Sequence, residues 1–412
     1  MKRILISLVS ALLFVSMLLT VPVSASLSTV KWITPDKYKP ALDDYAYSFA
    51  IVGDTQILVR EDAGTFAANK YTEFPDYTSK VYDWIIDNVE KKKIAYVMGL
   101  GDICEMSYEP KEWEVAQKQI FRLNGVVPYS LVRGNHDDKL WFMREMGIEN
   151  PDYMATIEGG YGVAREQMLN NYRTLRVGGV SYLIMVLDYY PTDEVLEWAN
   201  KVIADHPHHR VIITTHAYLM SGLSTIRNYD SKYAPHGGNC GEDIWQKLGK
   251  KHENIFMIIS GHVGVDGIDV AARQGEKKNK VYQILIDGQG LDEEYVREKK
   301  QDPAGLVAIF YFSKDGKSIG LEYYSTVRNV YVDLFKDKIS IEPYVDVLGE
   351  PETTAPETTA IPETTADVVD TTASTTVASD MGGCNGALGF VALPVTISTL
   401  GAALGVSKKR KR

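Results

Sequence analysis

Residues 94–137 have the sequence IAYVMGLGDICEMSYEPKEWEVAQKQIFRLNGVVPYSLVRGNHD, and this stretch decides the fold. Two apolar runs flank a segment around Trp113 whose apolar residues recur at helical spacing, so the pattern predicts a strand, a helix and a second strand. Each predicted strand ends in glycine followed by polar residues, first Gly101-Asp102 and then GNHD at 134–137. Because neighbouring parallel strands end at the same edge of a sheet, these polar side chains are expected to face one crevice.

The same unit recurs along the chain. Apolar runs lead into Asp54 (SFAIVG), His216 (RVIITT) and His262 (IFMIISG), and helical spacing recurs around residues 77–93, 195–204 and 244–248. Alternating strands and helices predict an α/β domain, here over residues 45–345. After residue 281 the pattern changes to successive strands (VYQILIDGQG, GLVAIFYF, SIGLEYY, ISIEPYV), which indicates a largely antiparallel second sheet.

Polar clusters at the predicted strand ends combine carboxylate, amide and imidazole side chains. Such oxygen and nitrogen donors suit divalent Mn, Fe, Zn or similar ions, and a carboxylate between two ions can bridge them. Taken singly, each cluster is equally typical of a turn or a helix cap. The ordered series favours a metal site, built from GDTQ (53–56), GDICE (101–105), GNHD (134–137), TH (215–216) and GH (261–262).

In order and spacing, these clusters resemble the calcineurin-like metallophosphoesterases, whose pattern is Asp-x-His, Gly-Asp, Gly-Asn-His-Asp/Glu, a lone His and Gly-His-x-His. The segments DEVLEWANKVIADHPHHRVIITTHAYL, NIFMIISGHVG and VYQILIDGQG are similar to a bacterial extracellular branch of that family. The resemblance implies an α/β fold, a four-layer α/β/β/α sandwich of two mixed sheets flanked by helices. It also implies hydrolysis of phosphate mono- or diesters by a metal-activated hydroxide.

The resemblance further implies a role for each matching residue. His136 would donate a proton or hydrogen bond to the leaving oxygen, and Asp137 would hold its ring in the right tautomer. Two divalent metal ions would be held by Asp54 and Gln56 at the first site, by Asp102 as a bridge, and by Asn135, His216 and His262 at the second site.

Two positions depart from the family pattern, and both affect the first metal site. Gln56 stands where the family usually has histidine, and Gly264 stands where the second histidine of Gly-His-x-His would be. An amide oxygen is a weaker donor than imidazole for these ions. The first site would therefore bind its ion loosely, prefer a harder ion, or recruit a replacement such as Asp266 or Asp287.

These departures also leave a second function open, a cell-surface binding module with a degraded, non-catalytic site. The GNHD cluster argues against that alternative, because a binding module has no need of a histidine poised for proton transfer.

The two ends of the chain have patterns of their own. Residues 1–25 combine Lys2 and Arg3 with an apolar run that ends in small residues, which predicts a secretory signal peptide, with an uncleaved anchor as the alternative. Residues 350–380 form an acidic, Thr- and Pro-rich repeat that predicts a disordered linker. Uncharged residues 386–406 predict a transmembrane segment, and 407–412 a basic cytoplasmic tail. We therefore expect an extracellular protein anchored to the cell membrane or envelope.

Charge and cysteine content narrow the possible partners. The formal net charge is −10, which disfavours binding to a nucleic acid duplex. The resemblance implies phosphate-ester substrates, and residues 386–406 predict contact with the membrane. The three cysteines are too few for a disulfide framework, so the fold must depend on burial of apolar surface. Nothing in the sequence specifies an oligomeric state.

Overall fold

The computed structural model describes residues 30–65, 75–227, 238–264, 268–299, 301–333 and 337–344. The predicted signal peptide, linker, transmembrane segment and basic tail all lie outside these ranges, as does Asp266, so the domain boundaries stay predictions. Within the described ranges, no helix combines the length and apolar composition needed to cross a membrane.

The strands of the described residues form two sheets. The first has the order β1-β14-β13-β12-β2-β3-β4, with β15 beside β13, and the second has the order β10-β11-β9-β8-β7-β6-β5. The strands are β1 (Trp32–Ile33), β2 (Tyr45–Val52), β3 (Ile94–Gly99), β4 (Tyr129–Leu131), β5 (Gly159–Gly160), β6 (Asn171–Val177), β7 (Val180–Val186), β8 (Arg210–Thr214), β9 (Ile255–Ser260), β10 (Ile268–Gln274), β11 (Lys280–Ile286), β12 (Leu306–Ser313), β13 (Ser318–Ser325), β14 (Val330–Val332) and β15 (Asp337–Ser340).

Both sheets are mixed. In the first, β2, β3 and β4 are parallel, and β12 pairs antiparallel to β2. In the second, β7, β8, β9 and β11 run parallel, with antiparallel strands at both edges. The expectation of a separate antiparallel sheet after residue 281 was therefore wrong. Strand β11 joins the second sheet, whereas β12 to β15 return to the first, because β12 forms its hydrogen bonds with β2.

Alternate residues of each central strand face different layers. Phe49 and Ile51 of β2 lie in an apolar cluster that also contains Ile184 and Ile284 of the second sheet, so this cluster joins the two sheets. Ala50 and Val52 face the opposite way. Because every second side chain of a strand points to the same face, one strand supplies both layers.

Helices cover the outer faces. Val81 of α2 (Tyr77–Asn88) and Trp113 of α3 (Pro110–Ile120) pack beside the outward residues of β2. Leu196 and Ile203 of α6 (Asp193–Asp205) pack beside β8 and β11. The predicted four-layer α/β/β/α sandwich is confirmed. The helices are α1 (Gln56–Ala63), α2 (Tyr77–Asn88), α3 (Pro110–Ile120), α4 (Lys139–Phe142), α5 (Pro151–Ala155), α6 (Asp193–Asp205), α7 (Gly241–Ile244) and α8 (Gln289–Glu293), with tighter or wider helical turns at Phe121–Leu123, Met143–Ile148, Ala164–Met168, Trp245–Gly249 and Glu294–Lys299.

The helix α6 shows how the sequence sets these elements. The Thr192 hydroxyl accepts a hydrogen bond from the Val195 amide and caps the first turn, where Asp193 and Glu194 complement the helix dipole. Apolar residues then recur at helical spacing and are buried against the second sheet.

Candidate metal centre

Six strand ends place polar side chains along one edge of the sandwich. Three come from the first sheet and three from the second, so the centre lies where the two sheets meet. These residues are Asp54 after β2, Asp102 after β3, Asn135 after β4, His216 after β8, His262 after β9 and Asp287 after β11.

Four of these side chains have donor atoms close together. One ligand atom each from Asp102, His216 and His262 lie within 4.8 Å of one another. His216 Nε2 is 3.2 Å from Asp102 Oδ2 and 3.1 Å from Asn135 Oδ1. These are the four residues that the sequence predicted for the bridge and the second metal, and their role as ligands stays a prediction.

The tautomer of His216 suits a cation. Its Nδ1 lies 2.8 Å from the Leu100 carbonyl oxygen, which can only accept, so Nδ1 carries a proton. Nε2 faces Asp102 and Asn135 and is the nitrogen that would bind a metal ion after losing its proton. Burial lowers the pKa of His216, but the charge and hydrogen bond of Asp102 outweigh burial and raise it. Surroundings that attract a proton to this point also attract a divalent cation. The donor set therefore fits a metal ion.

The predicted first-site ligands are also buried. Asp54 Oδ2 and Gln56 Oε1 have no hydrogen-bond partner among the described residues. Burial and then the nearby carboxylates of Asp287 and Asp102 raise the pKa of Asp54 well above its usual value. A divalent cation would offset both the desolvation and the repulsion, so this half of the centre fits a metal ion as well.

Backbone geometry at the centre is unusual. Asp102 and His262 adopt positive φ values of 47° and 73°, a region that costs a non-glycine residue about 1–3 kcal/mol. Gly134 is required by close packing, because a Cβ atom there would collide with the amide and carboxylate of Asp102. Strained residues held in place by tight neighbours are typical of functional sites.

His136 sits beside the bridge residue. Its backbone amide donates to Asp102 Oδ1 at 2.8 Å, and its Nδ1 lies 3.0 Å from the Glu105 carbonyl oxygen, to which it can donate. The side chain is 30% exposed.

The carboxylate of Asp137 is surrounded by backbone amides. It accepts hydrogen bonds from the amides of Ile103, Cys104 and Gly134 at 3.0–3.2 Å. Asp137 is wholly buried and joins the two turns that follow β3 and β4, because three backbone donors surround its oxygens. Asp137 thus fixes the turns that carry Asp102 and His136, and its predicted role in holding the tautomer of His136 stays a prediction.

The calcineurin-like phosphoesterase family model matches residues 47–286, which include all six strand ends except Asp287. The chain belongs to the calcineurin-like phosphoesterases. Members of this family are hydrolases that act on phosphoester bonds, and the predicted resemblance is confirmed.

Among known proteins, the chain is similar to the uncharacterised protein YvnB of Bacillus subtilis (strain 168). The two are 27% identical over 330 residues, which cover 77% of this chain and 23% of that protein. The chain thus spans about a quarter of the length of this relative.

Solved structures with a similar fold include two phosphatases. A dimetal phosphatase from Danio rerio has 11% identity and a TM-score of 0.46, covering 73% of this chain and 100% of its own. A purple acid phosphatase from yellow lupin (Lupinus luteus) seeds has 18% identity and a TM-score of 0.45, covering 77% and 58%. With TM-scores below 0.5, these likenesses have no weight in assigning the function of this calcineurin-like phosphoesterase.

A cleft of about 890 Å³ borders the centre of this calcineurin-like phosphoesterase. It is lined by Asn135 and His136, and by Tyr108, of which 71% is exposed. Arg133 also lines it, with Nε donating to Asp188 Oδ1 at 2.7 Å. The cleft is large enough for a small organic phosphate beside the predicted catalytic histidine.

The sequence identified only part of this lining. The sequence predicts that the connections at residues 139–173 and 219–241 shape the pocket. The first segment does contribute, but no described residue of the second does, and residues 228–237 lie outside the described ranges. Segments 105–109 and 188–195 were missed. Their position directly after β3 and β7 was the available signal, because loops at the carboxyl ends of strands border the crevice.

Proposed function

We propose that this protein hydrolyses phosphate mono- or diesters with the help of two divalent metal ions. The observation that carries the proposal is the convergence of carboxylate, amide and imidazole side chains from six strand ends, with His216 Nε2 3.2 Å from Asp102 Oδ2 and 3.1 Å from Asn135 Oδ1. Family membership supports the reaction class. Because the chain spans only about a quarter of the length of YvnB, the activity of the whole protein is our proposal.

The chain supplies ligands and a proton donor. When bound, the metal ions would neutralise the charge of the phosphate and lower the pKa of coordinated water. Asp54 and Gln56 would hold the first ion, Asn135, His216 and His262 the second, and Asp102 both. The remaining chemistry is proton transfer to the leaving oxygen, which needs a titratable group at the cleft.

His136 is the group that we assign to this proton transfer. With Nδ1 donating to the Glu105 carbonyl, Nε2 is the nitrogen through which the ring would act on the leaving oxygen. The Asp137 carboxylate holds the turns that carry Asp102 and His136, and so fixes the histidine relative to the bridge.

Turnover and metal content test this proposal together. The purified protein is stripped of metal, reloaded separately with Mn²⁺, Fe²⁺ or Zn²⁺, and assayed with aryl phosphate mono- and diesters. We expect two ions per chain and turnover with at least one ion. Bound metal with no turnover of any ester, or no bound metal at all, would contradict the proposed enzyme and favour the binding module with a degraded site.

We also propose that the protein acts outside the cell, anchored by residues 386–406. Support comes from the sequence alone, namely the signal-like residues 1–25, the linker at 350–380 and the basic residues that follow the apolar segment. Protease treatment of intact bacteria that express the chain should remove the catalytic domain from the cell surface. Protection of the domain until the cells are lysed would contradict this location.

A further inference from the structure

At one position of the family pattern, this chain lacks a side chain that could bind a metal ion. Gly264 stands where the second histidine of Gly-His-x-His would be. A Cβ atom built on Gly264 would lie 3.8 Å from the Gly290 amide nitrogen and 4.0 Å from Asp287 Oδ2, with nothing closer. The place where a histidine side chain would start is therefore open, and its neighbour is a carboxylate.

The Asp287 carboxylate is buried, and one of its oxygens would be stabilised by a bound cation. It is 0% exposed, and its Oδ1 accepts a hydrogen bond from the Gln289 amide at 2.8 Å. Its Oδ2 has no hydrogen-bond partner among the residues that the structure describes. A buried carboxylate oxygen without a partner is costly unless a metal ion or a proton satisfies it.

Asp287 is also next to the predicted first-site ligand. A Cβ atom built on Gly53 would lie 3.6 Å from the Asp287 Cα atom, so the ends of β2 and β11 are in contact across the two sheets. Asp54 directly follows Gly53, and its Oδ2 is likewise without a hydrogen-bond partner among the described residues. Two buried carboxylates with unsatisfied oxygens thus lie at adjacent strand ends.

We propose that Asp287 is a ligand of the first metal ion and takes the place of the imidazole that Gly264 lacks. This inference rests on the proposed metal-dependent function and names a ligand beyond it. With Asp54, Gln56 and Asp102, the first site becomes rich in oxygen donors. Carboxylate and amide oxygens suit Mn²⁺ or Mg²⁺, whereas imidazole suits Zn²⁺, so the site prefers the harder ions.

The rival for this role is Asp266, which lies outside the described residues. Asp266→Asn is therefore the matched control, with the same chemical change two residues from the missing histidine. A further variant, Gly264→His combined with Asp287→Asn, restores an imidazole to the open position and removes the carboxylate.

The experiment measures bound metal per chain by elemental analysis, and the melting temperature of the full protein with and without added Mn²⁺ or Zn²⁺. In Asp287→Asn the first ion is lost, or its affinity falls roughly 10- to 100-fold. Asp266→Asn keeps both ions. The double variant regains the first ion and now prefers Zn²⁺ over Mn²⁺.

Stability without metal separates a ligand from a structural residue. Asparagine keeps the acceptor for the Gln289 amide and removes a buried charge, so the metal-free melting temperature of Asp287→Asn stays level or rises. A sharp fall of that temperature, or failure of the variant to fold, overturns the proposal in favour of a structural role. Unchanged affinity for both ions in Asp287→Asn, or loss of an ion in Asp266→Asn alone, overturns it as well. Wild-type protein that binds no metal contradicts the proposed function itself, a separate outcome.

Discussion

His136 and Asp102 are neighbours with separable roles. The backbone amide of His136 donates to the bridge carboxylate, so truncation of the His136 side chain leaves that hydrogen bond in place. We expect His136→Ala to lower kcat roughly 10²- to 10⁴-fold, the usual contribution of a general acid, with metal content nearly intact. Steady-state kinetics and elemental analysis of the same preparation check both parts.

Asp102→Ala should behave differently. Its carboxylate is 3.2 Å from His216 Nε2 and is the predicted bridge, so we expect both ions and all measurable turnover to be lost. If His136→Ala and Asp102→Ala lose metal equally, the assignment of one residue to proton transfer and the other to binding is wrong.

The partners that orient the histidines were not predictable from side-chain patterns. His216 Nδ1 is held by the Leu100 carbonyl and His136 Nδ1 by the Glu105 carbonyl. Every residue has a carbonyl, so a sequence motif carries no sign of which one will face a ring. The donors themselves were predictable, because strand ends rich in glycine and polar residues are visible in the sequence.

For the strands, the local sequence predicted where each one ends but not which sheet it joins. Local patterns predicted where β2, β3, β8 and β9 end, because apolar runs stop at a polar cluster within a few residues. The distribution of strands between sheets depends on pairing at long range, as between Phe310 of β12 and Phe49 of β2. Both strands are continuous apolar runs, which fit either sheet equally well, so the sequence could not assign β12 to the first sheet.

Among the connections between elements, Glu242 joins α7 to β10 through Arg273. The Arg273 Nη1 atom lies 3.0 Å from Glu242 Oε2, and hydrogen bonds from Arg273, Thr225 and Gln246 lower the pKa of Glu242 to about 2. A lowered pKa adds stability above the unfolded value of 4.5, and this stability is lost as the pH falls through about 2. Because the side chain is partly exposed, we expect a contribution of about 1 kcal/mol.

Glu242→Gln should therefore lower the free energy of unfolding by about 1 kcal/mol at pH 7, and the difference from wild type should shrink toward zero near pH 2. Urea denaturation at several pH values measures it. Glu253→Gln, the same change at an exposed glutamate, is the control. A difference from wild type that does not depend on pH would show that the charge of Glu242 is not the cause.

For the whole molecule, the main consequence is that the two sheets meet at the candidate metal centre. The first sheet supplies Asp54, Asp102 and Asn135, and the second supplies His216 and His262, so a bound ion would link the sheets at one edge. Elsewhere the sheets are held by the apolar cluster that contains Phe49 and Ile184. Metal binding should thus add to the stability of the sandwich without being needed for its formation.

Chelation of the metal should lower the melting temperature and leave the secondary structure unchanged. An ion that binds only the folded state, at a free concentration about 100 times its dissociation constant, stabilises that state by about 2.7 kcal/mol, or roughly 4 °C for a domain of about 300 residues. Circular dichroism melts before and after chelation measure the shift, and His216→Ala, which should lose the second ion, should shift less. An equal shift in wild type and His216→Ala would place the stabilising ion elsewhere, because removal of the imidazole beside Asp102 would then have no effect on its binding.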